Sequence, residues 1–136
     1  MVAVALNNFD SLVDVWESDC ISALRNSHEV FPTGSRIYGE PHEHSDWDFV
    51  LLCHNYEDMG PVDSLLGKLG FIEGGSLRPG DKWTSYKSSC GRLNVIVAIG
   101  ETQFENWMVA RDYCEERAPL PKPECIRVHQ MFEAGV

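Results

Sequence analysis

The sequence is short of positive charge: 11 lysines and arginines stand against 21 aspartates and glutamates, a formal net charge of −10. That balance weighs against a broad basic surface, and so against extended nucleic-acid binding, and favours a small-molecule or protein partner. No apolar run reaches the length of a membrane-spanning helix, so no membrane association is expected. The first residues carry neither a basic segment nor a signal-like apolar core, and the expected compartment is the cytoplasm. The five cysteines, Cys20, Cys53, Cys90, Cys114 and Cys125, are odd in number, widely spaced and free of any C-x-x-C pair. That pattern speaks for reduced thiols rather than a disulfide scaffold or a zinc ribbon. Internal repeats and low-complexity segments are also lacking. At 136 residues the chain suits one core, hence a single domain over residues 1–136.

What is present concentrates between Thr33 and Leu52, TGSRIYGEPHEHSDWDFVLL. Gly34-Ser35 reads as a strand-to-helix turn, where glycine admits close backbone approach and fresh helical amides attract phosphate. Asp46 and Asp48 open the apolar run Phe49 to Cys53. In a strand, residues two apart share a face, so both carboxylates point one way and Trp47 the other. Paired anions repel unless a positive charge sits between them. A divalent metal answers that need, and Mg²⁺ favours carboxylate oxygens together with substrate phosphate oxygens. A phosphate cradle followed by a carboxylate pair suits metal-assisted phosphoryl or nucleotidyl transfer.

Gly34-Ser35, Gly39 and Ser45-Asp46-Trp47-Asp48 resemble the G-S…G…S-D-x-D signature of the DNA polymerase β-like nucleotidyltransferase superfamily. The likeness is nearest to its minimal single-domain members, with a looser one to small bacteriophage proteins of that kind. The resemblance implies an α+β fold, a nucleotidyltransferase-like mixed β-sheet flanked by α-helices. It implies Asp46 and Asp48 as ligands of Mg²⁺ or Mn²⁺, with Ser35 and the adjoining Gly34 amides on the β- and γ-phosphates of an NTP. Attack on the α-phosphorus by an acceptor hydroxyl would release pyrophosphate. The superfamily takes a third carboxylate from a neighbouring strand, and the matching position here is Asn94, in Leu93-Asn94-Val95. An amide oxygen can ligate a metal but accepts no proton. Two readings therefore stand: an active transferase with a small-molecule or protein acceptor, or a lapsed member that binds nucleotide or a protein partner, antitoxin-like. With no second domain, a homodimer or partner chain would complete the pocket.

Other residues have a role in either reading. Arg36 is placed to steady a triphosphate, or is a solvated helix cation. His42 and His44 form an H-x-H just before the aspartates, as accessory ligands, a substitute base, or exposed loop residues. Asp81 and Glu101 are the acids available to replace the missing third carboxylate. Arg78, Lys82, Lys87 and Arg92 are cations near the expected sheet edge, and Trp83 and Tyr86 are aromatics for a base or for the core.

Periodicity supplies the elements. Residues Asn8 to Asn26 carry one apolar stripe and read as a helix capped by Asn7 or Asn8. Glu29–Thr33 reads as a short strand, Ser35–Tyr38 as a short helix and Asp46–Cys53 as a strand. Asp58–Leu69 is a helix with Pro61 in its first turn, and Phe71–Glu73 a short strand. Lys82–Ser88 is a strand turning at Cys90-Gly91 into Leu93–Ile99, the expected central strand. Thr102–Glu116 is a helix with Thr102 as cap and Phe104, Trp107, Met108 and Tyr113 facing the core. Pro119, Pro121 and Pro123 end it, before a last helix over Glu124–Glu133.

Overall fold

The computed structural model describes residues 11–41, 45–75, 77–89 and 92–133. The expected caps at Asn7 and Asn8, the His42 and His44 pair, and the Cys90-Gly91 turn lie outside those residues. Five strands form one mixed sheet in the order β1-β2-β5-β4-β3. They are β1 (Val30–Thr33), β2 (Trp47–Cys53), β3 (Phe71–Glu73), β4 (Trp83–Ser88) and β5 (Leu93–Ile99). Only β2 and β5 run parallel; the other neighbours are antiparallel. The expected α+β class, a mixed sheet flanked by helices, is what the chain forms.

The apolar run of β5 does occupy the sheet centre, between β2 and β4. β2 is buried on both faces beyond Asp48, which is why it shows no clean alternation, while β5 alternates between buried and partly buried residues as far as Val97. One face carries Trp47, Phe49, Leu51, Val95 and Val97 against helices α1 (Leu12–Trp16), α2 (Asp19–Ser27) and α4 (Met59–Lys68). The opposite face carries Val50, Leu52 and Ala98 against Phe104 of α5 (Glu101–Glu116). There α5 also packs with α3 (Ser35–Tyr38) and α6 (Lys122–Glu133), around Tyr38, Cys114, Cys125 and Val128. Pro32 lies on β1, an edge strand, where a missing amide donor is tolerated.

Four expectations need correction. The stripe over residues 8–26 is, in its described part, two helices: Ser18 is extended, and its hydroxyl turns back to the Val15 carbonyl at 2.6 Å. The apolar repeat continues across the break, which hides it from a periodicity reading. The cap of α5 is Gly100, at φ 103°, and not Thr102. Tyr113 is 37% exposed, against Phe132 of α6, rather than in the core. Finally α6 starts at Lys122, with Pro123 inside its first turn, where a missing N–H costs nothing.

Candidate active site

Gly34 joins β1 to α3 at φ 85° and ψ −171°, a conformation that favours glycine. Space makes the same demand. A Cβ at Gly34 would overlap the Asp48 carboxyl group, its Cγ lying 2.8 Å away. The Gly34 carbonyl accepts from Ile37 N at 3.0 Å and Tyr38 N at 3.2 Å, closing the single turn of α3. The Gly-Ser turn and the D-x-D motif, separate in sequence, are therefore in contact.

Register places the polar residues in one row. Thr33 of β1 stands opposite Asp48 of β2, Asp48 opposite Asn94 of β5, and Asn94 opposite Lys87 of β4. Directly paired residues on adjacent strands share a face. Asn94 Nδ2 donates to Asp48 Oδ1 at 3.2 Å, and Lys87 Nζ pairs with Asp46 Oδ2 at 3.1 Å. Trp47 points to the opposite face and is buried in the main core. Both aspartates open onto a cleft of about 740 Å³, floored by Asn94 and Ile96 and walled by Ser35, Trp107 and residues of α6.

Burial pushes the Asp48 carboxyl up to about 6; the Asn94 amide opposes this, and the nearby Asp46 charge adds to it. Lys87 and Lys122 pull the other way. Asp48 is thus a partly desolvated anion with a like charge beside it, an environment that favours an added cation. Among the described residues no group of three or more His, Cys, Asp or Glu could hold a metal ion. Two carboxylates do not make a closed protein cage; the donors that Asp46 and Asp48 offer could hold a divalent cation only if it kept most of its other ligands from elsewhere.

The remaining candidates divide clearly. Arg36 Nε donates to the Ser45 carbonyl at 2.9 Å, with its guanidinium 4.7 Å over the Trp47 ring; it fastens the residue before Asp46. Of the sheet-edge cations, Lys87 pairs with Asp46 of the site. Asp81 accepts from the Arg78 amide, and Glu101 pairs with His54 at the far end of β2; neither lines the cleft. Tyr86 is buried in the main core with its hydroxyl donating to Asp63, and Trp83 packs edge-on against Trp107 at 5.2 Å.

Sequence reasoning places the last helix but misses its part in the site: α6 contributes Lys122, His129 and Glu133 to the cleft wall. Burial lowers the His129 imidazole to about 4. Its Nε2 lies 2.8 Å from Tyr38 Oη, which is 3.1 Å from Thr33 Oγ1, which accepts from Trp107 Nε1 at 2.9 Å. The indole N–H only donates to Thr33; in the Thr33–Tyr38 bond either hydroxyl can be the donor, and at His129 the direction follows the imidazole tautomer. The chain ties α6 to Thr33, the residue before Gly34. The one available signal was a polar stripe on the last helix, which by itself reads as a solvated face.

Comparison with solved structures finds a likeness to terminal uridylyl transferase 4 from Trypanosoma brucei with bound UTP and UpU, at 15% sequence identity and a TM-score of 0.44. The match covers 82% of this chain and 42% of that one, so the chain spans less than half that transferase's length. No protein-family model and no curated protein matches the sequence. At that level of similarity the likeness adds nothing to the site, whose reading rests on its residues.

Proposed function

We propose that the cleft binds a nucleoside triphosphate and transfers its nucleotidyl group to an acceptor hydroxyl, with release of pyrophosphate. The observation that carries this reading is the seating of the Gly34 backbone directly against a paired, partly desolvated carboxylate at the mouth of a cleft. A solvated acid at the start of an ordinary strand needs no such contact. Asp46 and Asp48 would hold Mg²⁺ or Mn²⁺, which when bound neutralises charge developing on the phosphates. Gly34 and Ser35 hold the β- and γ-phosphates by backbone amides and hydroxyl, with no side chain at position 34 to intervene. Lys87 and Lys122 offset the remaining negative charge. Arg36 serves by fixing Ser45, and His42 and His44, a few residues ahead of Asp46 in the sequence, would be accessory donors. A second copy of the chain, or a partner chain, completes the acceptor side.

One observation favours a second reading. Asn94 occupies the strand position beside Asp48 and donates a hydrogen bond to it, so the place of a third carboxylate holds an amide that accepts no proton. In that reading the chain binds nucleotide, or a protein partner, without transferring. Thermal unfolding with each NTP, with and without Mg²⁺ or Mn²⁺, tests the binding step shared by the first reading and by nucleotide binding in the second. A metal-dependent rise in midpoint that disappears in Asp48→Asn supports the site, because a ligand specific to the folded state stabilises it by mass action. No shift with any nucleotide rejects it. Asn94→Asp separates the readings: transfer of labelled nucleotide gained only in the variant marks the natural chain as a binder.

A further inference from the structure

Lys122, Ile126, His129, Gln130 and Glu133 of α6 all line the cleft that holds Asp46 and Asp48. Spacings of four, three, one and three residues put them along one side of a helix. Their character changes over about 16 Å, eleven residues at 1.5 Å each. Lys122 stands at the carboxylate end, near enough to Asp48 to favour its ionised form. Ile126 and His129 follow, sharing the space with Ile96 and Trp107. Glu133 closes the far end. Its Oε1 accepts from Trp83 Nε1 at 2.8 Å, while Oε2 has no hydrogen-bond partner among the described residues.

The middle of this wall is held rigidly. The His129 and Trp107 rings lie 4.2 Å apart, and each is fixed through its own ring nitrogen, to Tyr38 and Thr33 respectively. A cleft with a cation and a metal-binding pair at one end, flat rings in the middle and a carboxylate at the other has a direction. It orients a ligand that is anionic at one end, flat in the middle and donor-bearing at the other.

We infer that α6 is the base-reading wall of the cleft and that Glu133 selects a nucleobase with adjacent hydrogen-bond donors on its edge, guanine first. The inference rests on the nucleotide reading above and extends it to the identity of the base. An ionised carboxylate only accepts hydrogen bonds. Guanine presents a ring N–H and an amino group side by side. Adenine and cytosine present an amino group beside a ring acceptor. Uracil presents one N–H between two carbonyl oxygens, which a carboxylate repels. Hydrogen bonds to charged acceptors are the stronger kind, and a site built for them discriminates well against a ligand that lacks the donors.

The test is calorimetric titration with GTP, ATP, CTP and UTP, each with excess Mg²⁺, into the wild-type chain, Glu133→Gln and Asp48→Asn. Glutamine keeps an acceptor for Trp83 and puts an amide donor in place of the open oxygen. The wild type should bind GTP at least about tenfold more tightly than UTP, and Glu133→Gln should remove that preference while sparing UTP. Equal affinities in the wild type, a preference that survives in Glu133→Gln, or an equal loss for all four nucleotides would overturn it. The two readings fail differently. No binding of any triphosphate overturns both, whereas base-blind binding that Asp48→Asn still abolishes overturns only this one.

Discussion

Two residues of the cleft titrate in opposite senses over the same pH range. Asp48 is raised from 3.8 to about 6 by burial, so between those values the folded chain holds its proton more tightly than the unfolded one. Its contribution to stability therefore falls as pH rises, by about 3 kcal/mol in total. His129 is lowered from 6.5 to about 4, again by burial. There the unfolded chain holds the proton more tightly, and stability is lost, by about 3 kcal/mol, as pH falls through that window. In the wild type the two slopes offset each other. Without metal, Asp48→Asn should show stability climbing with pH more steeply than the wild type, and should be the more stable protein above pH 6 by up to about 3 kcal/mol. His129→Gln should show the reverse slope. Urea unfolding at several pH values between 4 and 7 measures both; variant curves parallel to the wild type's would contradict the burial of these groups.

At the scale of elements, the β1–α3 turn is the least replaceable feature. Gly34→Ala combines a strained φ with a clash on Asp48, and should cost about 2 kcal/mol or more and weaken triphosphate binding. Gly67→Ala is the internal control. It lies in α4 with nothing near the added methyl, and should stabilise by about 0.5–1 kcal/mol. Equal effects at the two positions would remove the special role given to Gly34. The same turn shows what a sequence makes legible. Gly34-Ser35 and Asp46-x-Asp48 were readable because their chemistry is local, and β2 and β5 because continuous apolar runs bounded by polar residues leave few alternatives. The contact between turn and carboxylate was not readable, since it depends on the β1–β2 register. Nor was the site role of α6. Cys125 and Val128 mark its buried face, but periodicity says only which side of a helix is apolar. It does not say that the polar side faces a cleft instead of water, so nothing in the sequence singles out Lys122, His129 and Glu133.

The whole molecule sets the field in which the cleft works. A net charge of −10 surrounds a site that already carries Asp46, Asp48, Glu40 and Glu133 against Lys122 and Lys87. On the proposed reading, a triphosphate approaching this chain would be repelled at long range and held only by short-range contacts. Salt shortens the reach of that repulsion, from a Debye length of about 30 Å at 0.01 M to about 8 Å at 0.15 M, while contacts inside the cleft are screened much less. The association rate for a triphosphate should therefore increase with ionic strength over that range, and increase less when Mg²⁺ travels with the nucleotide and reduces its charge. Stopped-flow quenching of Trp107, which lines the cleft, reads the rate directly. Proteins that gather phosphates on a basic surface show the opposite trend, with binding that weakens steeply as salt rises. A rate that falls with salt would mean that triphosphates meet this chain on a basic patch elsewhere, and the cleft would lose its claim to them. A rate that rises fits an acidic enzyme or binder whose specificity lies in the cleft and not in the field around it.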